Sequence, residues 1–131
     1  MGAEMAVQGA ISTALTALGL RVYDAAPQAA DGASTATYPF VEVGAIVFAE
    51  MDDKAVDGFD FVARIHTRSR SGSYAEAKDI QGQIYTRLHH GDLSMSGQRL
   101  IVLRRETSAV TRVTDGSFHG VCEYRGLIET L

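Results

Sequence analysis

Phe59-Asp60-Phe61-Val62-Ala63-Arg64-Ile65-His66-Thr67, followed by Ser73-Tyr74-Ala75-Glu76-Ala77, holds the two patterns that decide the fold. In the first run Phe59, Phe61, Ala63 and Ile65 alternate with Asp60, Val62, Arg64 and His66, the period of a strand with one dry and one mostly polar face. Ser69 to Gly72 makes a turn, and Ser73 with Glu76 matches a capping box, in which hydroxyl and carboxylate satisfy the orphan N–H groups of a helix start. The helix that follows buries Ala77, Ile80, Ile84 and Leu88, places Arg87, His89 and His90 at its negative end, and closes at Gly91.

Toward the N-terminus, Phe40 to Phe48 is almost continuously apolar and reads as a strand covered on both faces, started by Tyr38-Pro39. Before it, Ala25 to Thr37 is a loop rich in small and polar residues, and Arg21 to Tyr23 a short strand. From Met5 to Leu18, Val7, Ile11, Ala14, Leu15 and Leu18 recur at helical spacing, with Gly19 beyond the end. Toward the C-terminus, Arg99 to Thr111 and Phe118 to Leu131 are strands joined through Asp115-Gly116, a pair suited to a hairpin turn. Hairpin-like connections exclude a wholly parallel sheet. The expected class is α+β, a mixed or antiparallel sheet of four to five strands with two helices packed on one face.

A chain of 131 residues is one domain, spanning 1–131. Apolar residues are 46% and charged residues 21%, a globular balance. A net charge of −4 gives no general attraction to phosphate backbones or anionic lipid. Cys122, the only cysteine, excludes an internal disulfide and paired-cysteine zinc sites. The apolar stretch from Ala10 to Leu20 is too short to span a bilayer and lacks a signal peptide's basic flank, so a cytoplasmic location is expected.

No catalytic, cofactor or metal constellation emerges. Adjacent His89 and His90 diverge on a helix, and His119 and Cys122, three apart on a strand, face opposite sides, so neither pair chelates. Glu76-Ala77-Lys78 has the spacing of a nuclease E-x-K, but it falls in a helix rather than on a strand, and its Glu serves the helix start. Phosphate-binding glycine loops and nucleophile elbows are missing. Arg64, Arg68 and Arg70, with Arg104 and Arg105, lie on or beside strands, while Glu50, Met51, Asp52, Asp53 and Lys54 form an acidic connection. Opposite charge at separate places suits contacts between successive copies of a head-to-tail ring, and these ten residues are the candidate subunit or partner interface.

Three stretches carry a family likeness: Arg21-Val22-Tyr23-Asp24 with Tyr38-Pro39-Phe40-Val41-Glu42-Val43-Gly44, Ile65 to Ala77, and Asp115-Gly116-Ser117-Phe118-His119-Gly120 leading into Glu123-Tyr124-Arg125. In this order and spacing the chain resembles the tail terminator, or tail completion, proteins of long-tailed phages and phage-like particles, gene transfer agents included. The resemblance implies a structural protein without catalysis or cofactor. It would form a six-fold ring that caps the tail tube, ends tube polymerisation and meets the neck or head-completion protein, with DNA passing through unread. Its place would be the host cytoplasm during assembly, then the tail or neck of the particle. Other readings are another neck or minor tail protein, a small-ligand-binding α+β domain, or an enzyme that a metal-dependent activity screen would expose.

Overall fold

The computed structural model describes residues 2–30, 35–50 and 57–131. Met51, Asp52, Asp53 and Lys54 of the acidic connection lie outside the described residues.

The elements run α1 (Ala3–Ala17), β1 (Val22–Tyr23), β2 (Phe40–Glu50), β3 (Gly58–Ser69), α2 (Ala75–Leu88), β4 (Ser94–Met95), β5 (Gln98–Arg112) and β6 (Phe118–Thr130). They form one six-stranded sheet in the order β1-β2-β3-β6-β5-β4. Only the β1–β2 pair is parallel, so the sheet is mixed. The expected count of four to five strands is low by β4, which pairs only as Ser94↔Arg99 and Met95↔Gln98. Two residues are too short a run to show any hydrophobic period.

Both helices cover one sheet face. Val7, Ile11, Ala14 and Leu15 of α1 and Ile80, Ile84 and Leu88 of α2 share a core with Val43, Phe61, Ile65, Leu103, Tyr124 and Ile128. The alternation read in β3 holds, with Phe61, Ala63 and Ile65 buried and Arg64 exposed. Fully burying a side chain such as Phe61 or Leu103 contributes about 1.5–3 kcal/mol, so this stripe dominates the stability of the sheet–helix pairing. Opposite Phe61 on β6 stands Gly126, where a Cβ would lie 2.4 Å from Phe61 Cζ. The phenyl ring occupies the space a side chain would need.

Two expectations need correction. β2 is covered on both faces only at its start: Phe40, Val41 and Val43 are buried, with Phe40 packed against the Tyr23 and Tyr38 rings, while Ala45, Val47 and Ala49 are exposed. The capping box also fails. The Ser73 hydroxyl accepts from Ala75 N at 3.3 Å, but the Glu76 carboxylate accepts a hydrogen bond from the Ser69 hydroxyl at 2.7 Å and ties the end of β3 to the first turn of α2. At the other end of α2, His90 adopts a left-handed φ of 55° and its N–H reaches Leu103 O at 2.7 Å. The end of the helix is thereby docked on the outer edge of β5. No helix among the described residues is long and apolar enough to cross a membrane.

Candidate functional site

The uncovered sheet face is where the sequence placed its arginines, and there the strand registers decide what they meet. Arg64 stands directly opposite Glu123 and pairs with it at 3.2 Å. Arg99 likewise faces and pairs with Glu129. Arg104 and Arg125 are opposite each other, a repulsive placement relieved by carboxylates: Arg104 meets Glu106 at 3.5 Å and Arg125 meets Asp60 at 3.2 Å. The face is thus not a basic patch but a checkerboard of both signs. Exposed pairs of this kind contribute about 0–1 kcal/mol each, so the pattern says more about what the face presents than about stability. Asp60, Glu106, Glu123 and Glu129 were missed as site residues; the partners of Asp60, Glu123 and Glu129 depend on strand order, whereas Glu106 meets Arg104 two residues away on β5.

The remaining candidates scatter. Arg68 lies on the same open face, opposite His119. Arg70 leaves the sheet and stacks its guanidinium 3.8 Å over the Tyr38 ring. Arg105 points to the helical side, 4.3 Å over the Tyr85 ring. Glu50 ends β2, exposed, with no ion pair among the described residues.

The histidines do more than expected of surface residues. His66 Nδ1 and His119 Nε2 are 2.8 Å apart on the open face, with near-parallel rings. Burial, followed by the charge of Arg68 and the neighbouring ring, lowers His119 to about 4. His66 is lowered too, by burial and by Arg68 and Arg64 against the opposing pull of Glu42. Both rings are therefore neutral at pH 7, one donating its N–H to the other's lone pair. Glu42, beside them, accepts from Ala26 N at 2.6 Å and fastens the segment after β1. Among the described residues no three His, Cys, Asp or Glu side chains converge as metal ligands. Cys122 is buried, its thiol pushed up by burial, as befits a small core residue rather than a nucleophile.

Beyond side chains, the sheet offers backbone. β1 covers β2 only at Val41 and Glu42, and β4 covers β5 only at Gln98 and Arg99. Val47, at the outer edge of β2, is 66% exposed.

A family model described as tail completion protein gp17 matches residues 5–129. No curated protein sequence matches. Among solved structures the chain is similar to one from "Virion of native gene transfer agent (GTA) particle", with a TM-score of 0.79 and 25% identity over 95% of each chain.

Proposed function

This chain belongs to the tail completion protein gp17 family, and from that premise we propose that it is a ring-forming subunit that caps a tail tube and joins it to the neck. The observation that carries this reading is the family match along almost the whole chain, joined to a likeness to a virion component over 95% of both chains. Together they support a structural role in a phage-type tail rather than catalysis, and a place in a phage-like particle. The ring would be six-fold and closed by head-to-tail contacts, with assembly in the host cytoplasm.

The action is association. One ring face imitates the tube subunit's contact surface, and the other refuses a further tube layer and accepts the neck or head-completion protein. The subunit's own charges favour the passage of DNA without capture: net charge is −4, and Arg64, Arg99, Arg104 and Arg125 of the open face are engaged with carboxylates. Glu50, Arg64, Arg68, Arg70, Arg104 and Arg105, with residues 51–54, remain the proposed contact set.

Mass measured by light scattering across a concentration series, with negative-stain microscopy of the same sample, tests the reading. Closed six-membered rings with an open centre are the expected result, either alone or on addition of tail tubes. A protein that stays monomeric with tubes and neck partners present overturns it.

A further inference from the structure

We propose that successive copies in the ring join by continuing the sheet, the outer edge of β2 in one copy pairing antiparallel with the outer edge of β5 in the next. This rests on the ring reading above and specifies the contact within it. Two features set these edges apart. Ile46-Val47-Phe48-Ala49 and Thr107-Ser108-Ala109-Val110-Thr111 contain no charge and no proline, the usual devices that keep an open strand edge from pairing. Both lie largely exposed, on opposite sides of the sheet, and no described strand covers them.

The backbone polarity of the two edges matches. In β2, Val41 N donates outward to Arg21 O, and the irregularity between Val43 and Ile46 shifts the outward-facing set to Ile46, Phe48 and Glu50. In β5, Leu103 O and Arg105 N face outward, to His90 N and His89 Nδ1. The irregularity between Arg105 and Thr107 moves that set to Ser108, Val110 and Arg112. Laid antiparallel, Ile46 exchanges bonds with Val110, and Phe48 with Ser108. Val47 and Ala109, both on the open face, meet at the non-hydrogen-bonded position between them.

Charge follows the same register. Continued into the irregularity of β5, it sets Glu50 against Arg105-Glu106 of the next copy: Glu106 turns to the open face toward Arg104 and Arg125, which leaves Glu50 and Arg105 together on the helical side. Neither has an ion-pair partner among the described residues.

The stagger suits closure. Val47 is level with Val62, Arg125 and Arg104 in its own sheet, and Ala109 with Val121, four rungs further along β6. That is an offset of about 13 Å across a four-strand width of about 19 Å. The resulting tilt of roughly 35° is one at which closed sheets settle.

The test uses the full chain with Val47→Lys in one variant and Ala109→Lys in another, sized by light scattering under the conditions in which the wild type forms rings. Each alone should lose the ring, and an equimolar mixture should give a heterodimer of twice the monomer mass, since one unaltered edge of each kind remains. Independently, a Val47→Cys, Ala109→Cys double variant should give a ladder of cross-linked multimers on mild oxidation, and either single variant should not. Rings unchanged in both lysine variants, a mixture that stays monomeric, or no ladder from the double-cysteine rings would overturn the edge contact and leave the ring reading standing. A wild type that never assembles, even on tubes, removes the ring and the edge contact together.

Discussion

His66 Nδ1 and His119 Nε2 sit 2.8 Å apart, too close for both rings to carry an added proton. His119 is lowered to about 4 and His66 is lowered as well, so between about pH 6.5 and 4 the unfolded chain binds protons that the folded one refuses. Stability is complete above the unfolded value and is lost as pH falls through that window.

Thermal unfolding should therefore show a midpoint that declines steadily from pH 7 to pH 4. A His119→Gln variant should flatten that decline. A wild-type midpoint independent of pH over this range would contradict the neutral pair. The charges facing the rings, Glu42, Arg64 and Arg68, are unchanged in the variant, which isolates the imidazole.

His89 Nδ1 accepts the Arg105 N–H at 3.1 Å, which only a neutral ring with a free lone pair can do. Partial burial, then His90, Arg105 and Arg104, hold this histidine below its ordinary value. His89→Ala should speed amide hydrogen exchange at Arg105 by several-fold while leaving the amides of β3 protected. Equal protection in both proteins would mean that the helix end does not secure the edge.

Tyr124 is fully buried, and its hydroxyl has no hydrogen-bond partner among the described residues. Burial also pushes that hydroxyl's pKa far up. An unpaired buried hydroxyl costs about 1–3 kcal/mol, part of which Tyr124→Phe recovers. The variant should raise the urea midpoint, with a gain of about 1 kcal/mol; a clear loss would reveal a partner for the oxygen.

Gly58 and Gly126 have no room for a methyl group. A Cβ at Gly58 would lie 2.1 Å from Ile128 O, a backbone atom that cannot turn aside, whereas at Gly126 it meets the Phe61 ring. Gly58→Ala should lower stability by about 1–3 kcal/mol in urea unfolding, and Gly126→Ala should do so through displacement of Phe61. Wild-type midpoints in both would mean that the strands can separate without penalty.

Much of the fold was legible because periodicity is local. The alternation from Phe59 to Thr67 and the stripe Ala77, Ile80, Ile84 and Leu88 each give an element and its buried face without knowledge of anything distant. What escaped depended on strand order. His66 and His119 each belong to the polar side of their strand, yet nothing in the chain says that β3 and β6 are neighbours, so their pairing stayed hidden. The same gap hid the carboxylate partners of Arg64 and Arg125, since Glu123 and Asp60 reach them only across the sheet, whereas Arg104 finds Glu106 on its own strand. Glu76 shows a different limit: a capping motif names a possible partner, but Ser69 was nearer.

The checkerboard on the open face also bears on speed. Alternating charges cancel within a few ångströms, and salt shortens their reach to about 8 Å in physiological conditions. A partner approaching that face feels no pull until contact. Encounter there should run at the rate of neutral surfaces, about 10⁵–10⁶ M⁻¹s⁻¹, and change little with ionic strength. The order in which a particle's parts meet would then be governed by which surfaces are already assembled, and not by which are drawn together from afar.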